Sequence, residues 1–285
     1  MTNGIQWCVL AFLAIPITAT AALEPAGKRL LEEMSEIVLP AAGHQSKVAL
    51  GDSIVKLVQE GVVEPAKLEA LYAQRGGIPD ELKDALSKPS YRPILLTRKN
   101  AAVYVNILWP LGLANRMAAN KVSPLNGPSR PDYASTGGWK LGRETSGGAY
   151  FNRFSIVPLT AHQEALVAKI ARHSFRPCCD NSTFYQDCNH GSALLGLLAL
   201  GAAQGLTEKE LYREALAFNA FWFPDNYVHT ALYFKVVRTL QWQDVDTRKV
   251  MGANFSSASG WQKNVAGELV RLGLLPAQGG ADCGV

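Results

Sequence analysis

The sequence is short of charge and of most recognisable chemistry. Asp, Glu, Lys and Arg make up 18% of its 285 residues, and the net charge is only +4. It has no basic run and no interleaving of aromatic with basic residues, so nucleic acid is not an expected partner. A phosphate-cradling loop is also missing. Gly137-Gly138 and Gly147-Gly148 lack a following Lys-Ser/Thr and any preceding strand pattern. No Gly-x-Ser-x-Gly elbow, His-Glu-x-x-His pair or Cys-x-x-Cys-His haem attachment occurs. Beyond the N-terminus no apolar run is long enough to span a bilayer. Strand-like alternation is nearly absent. Cysteine and histidine are scarce, at five each, so their placement carries most of the chemical information.

The N-terminus reads as an export signal. Cys8 to Ile17 is apolar, and Thr18-Ala-Thr-Ala-Ala22 supplies small residues for cleavage near Ala21 or Ala22. Residues 2–7 contain no Lys or Arg, a departure from the usual pattern. An uncleaved anchor over 7–23 and a buried helix are the competing readings. The expected domain organisation is a signal peptide at 1–22, an N-terminal helical region at 23–117, an irregular segment at 118–158 and a C-terminal helical region at 159–285. The expected location is extracytoplasmic (periplasmic or secreted), with the protein soluble or peripherally attached to a membrane. Once Cys8 is removed, Cys178, Cys179, Cys188 and Cys283 remain.

Helical periodicity dominates, and the expected fold class is all-α: helical hairpins or a bundle with a long ordered central loop. Apolar stripes predict helices over 26–39, 45–60, 64–75 and 79–86. Gly76-Gly77 stops the third, and Pro89 and Pro93 break the chain after the fourth. Residues 100–117 predict a buried helix kinked or broken at Pro110. From 118 to 158 the periodicity disappears among prolines and glycine pairs, while Tyr133, Trp139, Tyr150 and Phe151 make the segment too aromatic for a disordered linker. Two capping boxes follow, Thr160-Ala-His-Gln163 and Thr207-Glu-Lys-Glu210, each opening a helix. Between them lies a helix over 191–204 stopped by Gly205, with Asp187 or Asn189 as its N-cap. Its interior glycines each cost about 1 kcal/mol relative to alanine, which points to close approach of a neighbouring helix or a bound group.

Chemistry concentrates in one place, Arg176-Pro-Cys-Cys-Asp-Asn-Ser-Thr-Phe-Tyr-Gln-Asp-Cys-Asn-His-Gly191. Cys178 and Cys179 follow one helix, and Cys188 and His190 begin the next. A helix N-terminus favours a Cys188 thiolate and a neutral His190. Thiolate and neutral imidazole are ligands for copper(I) and zinc. The expected metal ligands are therefore Cys178, Cys179, Cys188 and His190, with Asp187 as a cap or supporting partner. Three other readings fit the same residues. Cys178 or Cys179 could pair with Cys188 in a structural disulfide, with the remaining one bonded to Cys283. Cys188 could attack a disulfide with a neighbouring cysteine resolving, which makes a thiol partner protein the expected partner. A cysteine nucleophile with histidine as base has no visible third group to orient it. His162, His173 and His229 are further ligand candidates. His173 reads more readily as a helix C-terminal cap and His229 as a core or rim residue, and His44 offers no argument for function.

Residues 172–220 carry a resemblance. Phe175-Arg-Pro-Cys-Cys-Asp-Asn-Ser182, a Leu/Ala helix and Gly205-Leu-Thr-Glu-Lys-Glu-Leu211 resemble the cytochrome c maturation thiol-oxidoreductase subunit. That family begins with Arg-Cys-x-x-Cys-Gln-Asn-x-Ser and continues to a Gly-x-Ser/Thr-Asp/Glu-x-Glu-Ile turn. The same run is similar to secreted PCYCGC-motif proteins. The first resemblance implies thiol redox activity at Cys178 and Cys179, the second a metal or thiol role. The cysteines are adjacent here where the first family separates them by two residues, and Cys188 and His190 lie outside its motif. Leu108-Trp-Pro-Leu-Gly-Leu-Ala-Asn115 and Ser135-Thr-Gly-Gly-Trp139 resemble uncharacterised secreted bacterial proteins with a Cys-Asn-His-Gly motif, which implies no activity.

Overall fold

A computed structural model describes residues 25–276; the signal-peptide reading, Cys8 and Cys283 lie outside the described residues. The fold is largely helical with one small sheet. In chain order the first elements are α1 (Pro25–Val38), β1 (His44–Gly51), α2 (Ser53–Gln59), α3 (Pro65–Tyr72), α4 (Asp80–Ala85), β2 (Ser90–Leu96) and α5 (Ala101–Ala114). α6 (Ala134–Gly137) follows, then α7 (Ala161–His173), α8 (Asn189–Ala203), α9 (Glu208–Trp222) and α10 (Pro224–Arg238). Two short turns, α11 (Thr247–Val250) and α12 (Ala253–Ser256), precede a continuous helical stretch made of α13 (Ala258–Trp261), a π-wound segment (Gln262–Ala266) and α14 (Gly267–Arg271). No helix among the described residues is long and apolar enough to cross a membrane.

The sheet corrects the all-α expectation. β1 and β2 pair antiparallel, with His44 opposite Leu96 and Gly51 opposite Ser90. The 45–60 stretch is thus a strand followed by a short helix. Along β1 the inward positions are Ser46, Val48 and Leu50, a period of two. Polar Ser46 interrupts the apolar alternation, and Val48 happens to fall on the helical stripe of Ile54, Val55 and Val58, which favoured the helical reading. Pro93 lies within β2 rather than in a break.

α5 runs unbroken through Pro110 and is buried on nearly every side. It packs on α8 at the centre of the molecule. Small residues set that contact. A Cβ at Gly112 would collide with the Ser192 carbonyl, and one at Gly196 with the Leu108 carbonyl. Gly196 of α8 therefore answers to a neighbouring helix, and the close approach lets Ser192 Oγ donate to the Trp109 carbonyl at 2.8 Å. Buried Leu194, Leu195, Leu197 and Leu198 each add about 1.5–3 kcal/mol relative to exposure, which offsets the glycine cost. Both predicted capping boxes form, at Thr160/Gln163 and Thr207/Glu210. Gly205 turns the chain after α8 with φ of +85°, a conformation open to glycine at no steric cost.

Residues 118–158 consist of short single turns of helix joined by extended backbone. Trp139, Leu141 and Tyr150 bury their side chains in the main core. Trp139 packs edge-on against Trp109 of α5 at 4.5 Å between ring centroids.

Candidate metal centre

The loop from α7 to α8 is organised by Arg176, whose side chain is 0% exposed. A guanidinium removed from water needs counter-charge and hydrogen-bond acceptors for its donors. Its Nε donates to Cys188 Sγ at 3.2 Å, and one terminal nitrogen donates to the Asn181 carbonyl at 2.6 Å. The other donates to Asp187 Oδ1 at 2.5 Å and to the Tyr185 carbonyl at 3.4 Å. Asn181 Nδ2 donates to the second Asp187 oxygen at 2.6 Å. The loop is thus wound around one buried cation. Gly191 is part of this fit, since a Cβ there would stand 3.0 Å from the guanidinium.

The winding brings three sulfurs together. Cys178 Sγ lies 3.4 Å from Cys179 Sγ and 3.8 Å from Cys188 Sγ, and all three lie within 4.8 Å of one another. Among the described residues all three are free, half-buried thiols. The Cys179 segment is pinned by the Ala258 N–H donating to its carbonyl at 3.0 Å, and Asp180 accepts from the Ser259 N–H at 2.7 Å. α13 therefore braces the loop from the far side.

The N-cap of α8 is Cys188 itself, where Asp187 or Asn189 was expected. Its sulfur accepts from the Gly191 N–H at 3.3 Å. Asp187 is drawn instead into the ion pair with Arg176, which only tertiary burial of the arginine explains. The three thiols differ in acidity. Hydrogen bonds from Cys178 and Cys179, then the Arg176 charge and the Gly191 N–H, hold Cys188 well below the ordinary thiol pKa despite burial. Hydrogen bonding to its two neighbours, together with burial, pushes Cys178 up. Cys178 lowers Cys179 by hydrogen bonding, but its bond to Cys188, burial and the Cys188 charge outweigh this and push it up to about 12. Of the three, Cys188 is the thiol whose surroundings favour the thiolate, beside a fixed cation.

His190 stands outside the sulfur group. Its ring packs on Phe223 at 4.5 Å and near Trp222 at 6.0 Å between centroids. Burial lowers its pKa, favouring the neutral ring. Cys188 is the extended N-cap of α8 whereas His190 lies within its first turn, so the two side chains leave the backbone differently. His173 closes α7, with Nδ1 2.8 Å from the Lys169 carbonyl, and His229 stacks on Trp261 at 6.1 Å. His162 is exposed. None of these joins the thiols.

The residue that sequence reasoning passed over is Arg176. Its place directly before Pro-Cys-Cys was the available signal, but an arginine is ordinarily solvated, and nothing local announces its burial. Neither a protein-family model, nor a curated protein, nor a solved structure matches the chain.

Proposed function

We propose that the protein holds a soft metal ion outside the cytoplasm through the thiolates of Cys178, Cys179 and Cys188, copper(I) being preferred and zinc second. The observation that carries this reading is the three-sulfur group beside the fully buried Arg176. An ion about 2.3 Å from each of three sulfurs in a trigonal plane needs them about 4.0 Å apart. Two of the separations are 3.4 and 3.8 Å and all three sulfurs lie within 4.8 Å of one another, so small side-chain adjustments would bring them to that value. Three thiolates complete a trigonal site for copper(I), whereas zinc prefers a fourth ligand. Arg176 offsets part of the negative charge that three thiolates gather, and Asp187 fixes Arg176 in turn. In this reading α7, the cysteine loop and α8 form a helical hairpin with the thiols at its closed end. The leader-like residues 1–22 support an extracytoplasmic location, where closely spaced thiols would otherwise oxidise, and a bound ion would account for their proximity.

The test is anaerobic loading with copper(I), followed by competition with a copper(I) chelator and ultraviolet sulfur-to-copper charge-transfer spectra. Retention that disappears in Cys178→Ser and Cys188→Ser supports the reading. Retention that ignores both substitutions, or no retention in the parent protein, sinks it.

A second reading rests on the acidity of Cys188. Its thiolate would attack a partner disulfide, forming a mixed disulfide and releasing one thiolate. Cys178, 3.8 Å away, would then displace the second, leaving a Cys178–Cys188 disulfide and a reduced partner. Stoichiometric reduction of a model disulfide, lost in Cys188→Ser, would favour it over metal storage.

A further inference from the structure

A second site lies elsewhere on the molecule. A cleft of about 870 Å³ opens between the end of α1, the start of β1, one face of α9 and the turn at 242–248, and it shares no lining residue with the cysteine loop. At its wall stands His44, the residue for which the sequence offered no role. Its Nε2 lies 3.1 Å from Oε2 of Glu214. Glu214 is buried beneath it at 4% exposure. The same carboxylate accepts from Ser46 Oγ at 2.7 Å and from the Lys47 N–H at 3.0 Å. Burial pushes Glu214 up, but these three hydrogen bonds outweigh it and hold the carboxyl below its usual range. The Glu214 carboxylate accepts a hydrogen bond from His44 Nε2–H, which orients the ring. Nδ1, which has no partner among the described residues, is left as an acceptor at the cleft.

The charges around the cleft are unevenly committed. Glu208 is engaged with Lys169 at 2.7 Å and approached by Arg248 at 4.0 Å. Asp246 accepts from the Arg248 N–H at 3.0 Å as the cap of α11. Lys209 and Arg213, one turn apart on α9, and Asp244 of the 242–248 turn line the cleft and form no salt bridge among the described residues, so the two cations outnumber the one uncommitted acid. Phe221 and Trp242 supply aromatic wall. Two uncommitted cations, flat apolar surface and an oriented imidazole acceptor together suit one kind of molecule.

The geometry points to this cleft as a binding site for a small aromatic organic anion, its acidic group held by Lys209 and Arg213, its ring against Trp242 and Phe221, and a donor group on the ring directed to His44. A buried carboxylate is expensive to keep ionised unless well bonded. All three of its bonding partners belong to β1, and the carboxylate orients one of them, the cleft-lining His44 ring, which is the arrangement of a prepared site.

The probe is 8-anilinonaphthalene-1-sulfonate, an aromatic anion carrying an N–H, titrated by fluorescence beside its uncharged relative N-phenyl-1-naphthylamine. The full chain is used, with circular dichroism and thiol titration confirming that each variant is folded. A single saturable site for the sulfonate is expected, weakened about tenfold or more in Lys209→Ala/Arg213→Ala, the loss of charge-assisted hydrogen bonds, while the neutral relative is unaffected by that substitution. His44→Phe is expected to weaken the sulfonate less and to keep the aromatic contact. Equal binding of charged and neutral probes, or sulfonate binding indifferent to Lys209→Ala/Arg213→Ala in a folded variant, overturns the proposal.

Discussion

Arg176 and Cys188 are twelve residues apart, and the guanidinium Nε of the first donates to the sulfur of the second at 3.2 Å from a fully buried position. The arginine is bound on its other side by Asp187 at 2.5 Å. One cation therefore faces a thiolate and a carboxylate that neighbour each other in sequence, and the loop's shape follows from satisfying it.

Removing that cation leaves the half-buried Asp187 carboxylate and Cys188 sulfur without their shared partner. Arg176→Met is expected to cost about 3–5 kcal/mol of folding stability, read as a shift of the urea midpoint. Adding Asp187→Asn to it should recover part of the loss. A cost of about 0.5 kcal/mol or less, typical of surface sites, would mean the arginine is not the organising group.

Asp187 acts on the thiols through Arg176. Asp187→Asn keeps the side-chain shape and weakens only the grip on the guanidinium. Copper(I) affinity should fall by about 10–100-fold, the usual effect of losing an outer partner, as measured by chelator competition. Unchanged affinity would remove Asp187 from the site.

His190 provides a sharp comparison. Its ring lies on Phe223, so His190→Phe should preserve packing. Copper content per chain is expected to stay at the parent value by elemental analysis. A fall in copper content with the fold retained would return the imidazole to the ligand set.

Gly112 and Gly201 separate rigid from yielding contacts. A Cβ at Gly112 meets the Ser192 backbone, whereas one at Gly201 meets the tip of the Leu211 side chain at 2.6 Å. Gly112→Ala should cost about 1–3 kcal/mol through overpacking. In Gly201→Ala the helix-propensity gain of up to about 1 kcal/mol offsets much of the strain. Thermal melting that ranks them the other way would contradict the packing account.

Glu214 makes stability depend on acidity. Its folded pKa lies below the unfolded value, because His44, Ser46 and the Lys47 N–H stabilise the anion. Its contribution is therefore complete above the unfolded carboxylate pKa of about 4.3 and is lost as pH falls through the lower folded value. Glu214→Gln should destabilise by about 1–3 kcal/mol near neutrality. The gap between parent and variant should close below about pH 4. A gap independent of pH would show that the charge is not what matters.

Much of the helical framework is legible from local pattern. Thr160/Gln163 and Thr207/Glu210 form the capping boxes their spacing announces, and Pro224 opens α10 at its first turn. Gly76 and Gly205 both take positive φ at helix ends. These features depend on residues within a few positions of each other, so the sequence carries them directly. β1 was misread because its inward Ser46 is polar, and what satisfies it is Glu214, 168 residues away.

The sequence by itself determined most of the helical segments, where several of them start and stop, and that three cysteines would meet near a helix start. Helix periodicity, capping and a short connecting loop are local properties, and local chemistry suffices to set them. Tertiary structure decided the rest. It buried Arg176 and so chose Cys188 over Asp187 as the cap. It turned His190 onto Phe223 and away from the sulfurs, and it paired His44 with Glu214 across 170 residues. Each of these outcomes depends on which distant group excludes water from a polar one, and that is fixed only when the helices pack.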